Sequence, residues 1–203
     1  MCIIAFCLQT APGFPLLVAA NRDERRSRPT QAAAPWQLDN GVQVLSGRDL
    51  TDGGTWMGCA RNGRVAMLTN IRPTDALTEK ARLSRGLLCA DWLEGASLTT
   101  WLGQHVGGDF GGCNVVLGEL TSGAWHFLRN HPETAADCVD NQLAPTGVGW
   151  WGCPLESGIH VLSNASLDTP WPKVVALRQA VLEATVTSPD TRAKEVPSGA
   201  MQV

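Results

Sequence analysis

Removal of Met1 would leave Cys2 with a thiol and a free amine in one residue, a nucleophile and a base side by side. An α-amine titrates at about 7.7 to 8.0, so its neutral fraction at pH 7 is sufficient to take a proton from a neighbouring thiol. Cysteine also packs like a small hydrophobe, and Cys2 opens the apolar run Cys2-Ile3-Ile4-Ala5-Phe6-Cys7-Leu8, so taken alone the position favours a strand-opening residue. A second feature is Leu16-Leu17-Val18-Ala19-Ala20-Asn21-Arg22-Asp23-Glu24, in which an apolar strand runs into four polar or charged residues. Two asparagines at strand ends, Asn70 and Asn164, carry amide donors of the kind that stabilise an oxyanion, though asparagine at a strand end also closes turns. Trp56 follows Gly53-Gly54-Thr55 and reads as core or as a pocket wall.

These residues need elements to hold them. Strands over 2–8 and 16–20 flank Ala11-Pro12-Gly13-Phe14-Pro15, a turn that folds the second strand back on the first and brings 21–23 toward Cys2. Trp56 to Ala60 and Arg64 to Thr69 flank Asn62-Gly63, a strong hairpin signal because both residues tolerate positive φ. Leu83, Leu87, Ala90 and Leu93 follow helical spacing between 79 and 95, and Ser97 caps a second short helix through His105. Strands resume at Cys113 to Leu117, Ala124 to Leu128 and Ile159 to Ser163. Thr169-Pro170 reads as an N-cap and first turn, with Val174, Leu177, Val181 and Leu182 as the buried stripe. Strands, helices, strands and a final helix suit antiparallel sheet layers covered by helices.

Asn21-Arg22-Asp23-Glu24, Ser46-Gly47-Arg48-Asp49, Gly53-Gly54-Thr55-Trp56-Met57-Gly58, Leu68-Thr69-Asn70 and Leu162-Ser163-Asn164-Ala165-Ser166-Leu167-Asp168-Thr169-Pro170-Trp171-Pro172-Lys173 resemble the motifs of the NRDE family, in family order, over roughly residues 1 to 185. That family is named for the tetrapeptide and includes the transport and Golgi organisation protein 2 group. The resemblance implies a relation to N-terminal nucleophile hydrolases, hence an α+β fold, an αββα sandwich of antiparallel sheets. It implies a single domain over 1–187 with a disordered tail over 188–203. Relatives continue beyond this length with a Tyr-Gly-Thr-Arg type motif, so a C-terminally short version is expected.

The implied activity is that of a cysteine N-terminal nucleophile amidohydrolase acting on a nonpeptide C–N bond of a small molecule, with no cofactor required. Carried over onto matching positions, the resemblance makes Cys2 the nucleophile, Asp23 the orienter of the amine, and Asn70 and Asn164 the oxyanion donors, with Asn21, Arg22 and Trp56 around the substrate. The hydrolases place an arginine before the asparagine of their second strand, where this chain has Ala20, and Arg22 falls on the opposite face if that strand stays extended. The family has also been connected with haem trafficking and with lipid and acyl-CoA metabolism. The alternative is therefore a non-catalytic carrier using the same cleft, with haem as cargo rather than as a resident group.

Bulk composition narrows the classes. At 203 residues the chain is long enough to bury roughly 70% of its unfolded surface in one core. A net charge of −3 with 17% charged residues excludes the basic excess of a nucleic-acid binder. Arg22, Arg25, Arg26 and Arg28 form a small basic cluster that reads as a solvated loop or as a partner for a ligand's carboxylate or phosphate. Seven cysteines without a CxxC pair fit free thiols in a reducing cytosol, so a cytoplasmic location is expected. His105, His126, His131 and His160 lack metal-ligand spacing, and no apolar run approaches the roughly 20 residues of a membrane span. No heptad or long apolar edge specifies an oligomeric state.

Overall fold

In a computed structural model, residues 2–71, 81–131 and 143–186 are described. The strands before the first helix are β1 (Ile3–Ala11), β2 (Phe14–Asn21), β3 (Thr30–Gln37), β4 (Gln43–Asp49), β5 (Met57–Ala60) and β6 (Arg64–Asn70). Helices α1 (Gly86–Leu93) and α2 (Leu98–Gln104) and a 3-10 turn, Gly107–Asp109, stand between these and β7 (Cys113–Glu119), β8 (Ala124–Arg129), β9 (Ala144–Gly147), β10 (Trp150–Pro154) and β11 (Gly158–Leu162). Helix α3 (Pro172–Val186) follows. The tail expected over 188–203 lies outside the described residues.

Both expected hairpins form. β1 and β2 pair antiparallel from Ile3↔Asn21 to Leu8↔Leu16, and Gly13 supplies φ +77° in the turn. β5 and β6 meet across Asn62-Gly63, with Gly63 at φ +87°. The strands form two sheets, of order β11-β1-β2 and β3-β4-β5-β6-β7-β8-β10-β9. All pairings between the named strands are antiparallel.

Period-2 alternation assigns each strand two faces and so builds the layers. Ile4, Phe6 and Leu8 of β1 pack with Val65 and Met67 of β6, Val116 of β7 and Trp125 and Phe127 of β8, forming the core between the sheets. The opposite face of the larger sheet, through Ala66, Leu68, Val115, Leu117 and Leu128, meets Leu88, Cys89, Trp92 and Leu93 of α1 and Trp101 of α2. Ala5 and Val161 turn outward onto Val174 of α3, with Leu177 and Val181 alongside. The order of layers is helix, sheet, sheet, helix, and the class is α+β.

Several elements differ from expectation. Helix α1 starts at Gly86 rather than near 79, because the chain before it is held extended: Leu83 bridges Phe110 in parallel, and the N–H groups of Arg82 and Leu83 both donate to Asp109 O. Leu83 is accordingly 45% exposed rather than part of the helical stripe. Ser97 does cap α2, its hydroxyl accepting from Thr100 N–H. Helix α3 begins at Pro172 rather than Pro170, since the Thr169 hydroxyl turns back to Ser166 O. Leu182 is 43% exposed and leaves the stripe. Strands β3, β4, β9 and β10 had no counterpart in the sequence reading. The two outer strands of the larger sheet, β3 and β9, each contain a proline, Pro35 and Pro145, which an edge tolerates because one flank donates no ladder hydrogen bond.

Asp168 attaches α3 to β11. Its carboxylate accepts from Val161 N–H at 2.6 Å, from His160 Nδ1 at 3.2 Å and from the Arg178 guanidinium. Burial pushes this carboxyl up, but the His160 and Val161 hydrogen bonds and the Arg178 charge outweigh burial and hold it below the usual range. The stabilisation is therefore present above the ordinary aspartate value of about 3.9 and is lost as pH falls through the lower folded value. Asp168→Asn keeps the shape and tolerates the backbone φ of +59°. It is expected to cost about 1 to 3 kcal/mol in urea unfolding at pH 7. The gap from the unsubstituted chain should narrow as pH falls below the ordinary aspartate value of about 3.9, where the unfolded chain takes up the proton first.

Candidate functional site

The register of the small sheet sets the site. Continuing the β1–β2 pairing one step past Ile3↔Asn21 places Arg22 opposite Cys2. Continuing the β1–β11 pairing two steps past Ile4↔Leu162 places Asn164 on the other flank of Cys2. The Ser163 hydroxyl donates to Cys2 O at 2.9 Å, so the alignment extends beyond the strand end. Asn164 is 8% exposed, and its Nδ2 donates to Asn70 O at 2.7 Å. That bond ties the end of the small sheet to the end of β6 in the large one, beside the thiol.

Cys2, Arg22, Asn70 and Trp56 line one cleft of about 670 Å³, together with Arg28, Asp49, Thr55, Leu68 and the start of α1. Arg22 does not fall on the opposite face: alternation with period 2 puts it on the face of Ala20, and the continued register sets it across from Cys2. Its guanidinium lies 4.1 Å from the Trp56 ring centroid and donates to the Thr30 hydroxyl at 3.2 Å. Gly47 makes room for that tryptophan, because a Cβ at this position would stand 2.5 Å from the indole. Asp23 is exposed and approaches Cys2 through its main chain, the thiol facing Asp23 O at 3.9 Å. Asn21 is exposed and stands outside the cleft lining, as Asn164 does.

Arg22, Arg25 and Arg28 border the cleft rather than forming only a solvated loop, and Arg26 does not. Arg28 donates to Asp49 and to Asp52, each at 2.6 Å. Burial pushes the Asp49 carboxyl up, but hydrogen bonds from Arg28, Thr51 N–H and Asp52 N–H hold it below the usual carboxylate range. Arg28 was named in the basic cluster, but Asp49 and Asp52 were not singled out from sequence. Asp49 closes a quoted motif, so a signal for it existed; Asp52, in a turn, left none.

Burial pushes the Cys2 thiol up, against the pull of Arg22 and Lys173 downward. The thiol is thus protonated at neutral pH and needs a base to act as a nucleophile. The six described cysteines are unpaired. Among the described residues no group of three His, Cys, Asp or Glu side chains is arranged to hold a metal ion. No described helix is long and apolar enough to cross a membrane.

A family model described as Transport and Golgi organisation 2 matches residues 1–202, and the chain belongs to that family. It is similar to the Transport and Golgi organization protein 2 homolog of Bos taurus, 32% identical over 217 residues that cover 99% of this chain and 68% of the relative. The Homo sapiens homolog is 33% identical over 199 residues, covering 93% of this chain and 66% of the relative. The Mus musculus homolog is 29% identical over 204 residues, with 93% and 66% covered. The chain therefore spans about two thirds of the length of these relatives.

Proposed function

We propose that the chain is a cysteine N-terminal nucleophile amidohydrolase whose fold is the αββα sandwich of that hydrolase group. The observation that carries this reading is the placement of the Cys2 thiol in an open cleft with Arg22 and Asn70, at the sheet end where Asn164 joins the two sheets. Once Met1 is excised, the Cys2 amine accepts the thiol proton and the sulfur attacks the amide carbonyl carbon. The Asp23 carboxylate orients that amine. In this reading Asn70, on the cleft wall, and the remaining N–H of Asn164, held behind it by the bond to Asn70 O, serve as the oxyanion donors, a contribution of roughly 3 to 4 kcal/mol per donor. The C–N bond then breaks, the leaving amine takes the proton from the α-ammonium, and a thioester remains. Water, deprotonated by the same amine, releases the carboxylic acid and restores the thiol.

A carrier of haem or an acyl-CoA-like lipid is the second reading, favoured by the burial that keeps the thiol protonated and by the arginines at the cleft. Haem fits only in part. Among the described lining residues, Cys2 is the one side chain of the types that ligate haem iron, and no histidine is there.

A chain extended by one residue before Cys2, beside the processed chain, separates the readings on a panel of acyl p-nitroanilides. Hydrolysis should occur only with the free Cys2 amine, whereas ligand binding should survive the extension. Equal hydrolysis by both chains would overturn the amine-as-base mechanism.

A further inference from the structure

We propose that Arg85 binds an oxyanion group, a carboxylate or a phosphate, that the substrate carries close to the bond Cys2 attacks. The proposal rests on the reading of the cleft as the substrate site of Cys2.

Among the described residues of the cleft the charges do not balance, and the imbalance falls at one place. The three described acids are taken by two arginines: Arg28 holds Asp49 and Asp52, and Arg22 holds Glu24 at 3.5 Å and stands 3.8 Å from Asp49. Arg25 is exposed at the rim. Arg85 is half-buried in the lining and, among the described residues, has no carboxylate partner. A cation withdrawn from water without a counter-charge is costly, and an anionic ligand offsets that cost.

The guanidinium is also held in place. Its Nη1 donates to Gly112 O at 3.2 Å and packs against Gly111, where a Cβ would lie 3.4 Å from that nitrogen. Gly112 O accepts from Ile71 N–H as well, at 2.9 Å, so Arg85 is anchored one residue beyond Asn70, the candidate oxyanion donor. Of the five N–H donors of a guanidinium, one is used among the described residues, and the remaining fork matches a carboxylate or phosphate edge. Ser84 and Gly86 border the cleft beside it, the Ser84 hydroxyl accepting from Gly86 N–H at 3.4 Å. Leu68, Leu83 and Trp56 supply apolar surface for the acyl part. The substrate class is an acyl amide whose amine half carries an oxyanion.

Three probes test this: hexanoylglycine, the phosphate analogue N-hexanoyl-2-aminoethyl phosphate, and neutral hexanoylglycinamide. Their affinities are measured calorimetrically on full-length protein carrying Cys2→Ser, so that no turnover intervenes. At least one anionic probe should bind about tenfold or more tightly than the neutral one. The better of the two identifies the oxyanion. Arg85→Gln should abolish the preference, and Arg85→Lys should retain part of it, with thermal unfolding compared in all three proteins. A preference that survives in Arg85→Gln overturns the proposal, and so does equal or undetectable binding of all three probes to the Arg85 protein. Absence of hydrolysis by the processed protein with its native Cys2, with the anion preference intact, would instead count against the hydrolase reading alone.

Discussion

Replacing Cys2 by serine in the processed chain should lower acyl-amide turnover by at least about 10³-fold while shifting stability by under about 1 kcal/mol. The two halves of this expectation have separate causes. The sulfur is the atom that forms the thioester, and a serine hydroxyl at the same position is a far weaker nucleophile. Its contribution to folding is small, because its one described polar contact is a long one, 3.9 Å to Asp23 O. The Ser163 bond is to Cys2 O, a main-chain atom that the substitution leaves in place. Turnover that survives Cys2→Ser would move the nucleophile elsewhere, and exposed Cys59 is the control, since Cys59→Ser should leave turnover unchanged.

Gly54→Ala should destabilise the fold by about 3 kcal/mol, the upper end of the usual cost of overpacking, and distort the cleft as well. An added Cβ would stand 2.5 Å from Gly86 C and 2.7 Å from Gly86 O, both main-chain atoms that cannot rotate away. Relief requires moving the start of α1, which stretches the Thr55 N–H bond to Gly86 O, now 3.2 Å. Gly86 and Arg85 line the cleft, so the displacement reaches the ligand. The neighbouring glycine serves another purpose. Gly53 has φ +79° with open space around it, and Gly53→Ala should cost only the left-handed strain of about 1 to 2 kcal/mol. Urea unfolding of the two variants reads the difference, and equal costs would contradict the close-packing account of Gly54.

The Gly53-Gly54 pair illustrates what was legible in the sequence. Its position in a motif was plain, but the division of labour, one glycine for φ and one for space, depends on a helix 32 residues further on. Hairpins were readable because turn chemistry is local: Gly13 and Asn62-Gly63 sit where the strands reverse. Strands β3 and β9 were not, because an edge strand has only one partner, so residues such as Ala-Ala-Ala-Pro35 and Ala144-Pro145-Thr146 can occupy it without a β signal. In the site, Cys2, Arg22, Asn70 and Trp56 line one cleft, whereas Asn21, Asp23 and Asn164 stand outside its lining. Arg85 was illegible because its significance lies in which carboxylates the other arginines have already taken, a fact of the tertiary structure alone.

The central claim is that an amino-terminal Cys2 attacks the carbonyl of its substrate. Intact-mass spectrometry of the protein after brief exposure to an activated acyl donor, followed by peptide mapping, tests it most directly. The account predicts a chain lacking Met1 that carries one acyl group, mapped to Cys2 and absent in Cys2→Ser. Full retention of Met1, or an acyl group equally present in Cys2→Ser, would contradict it.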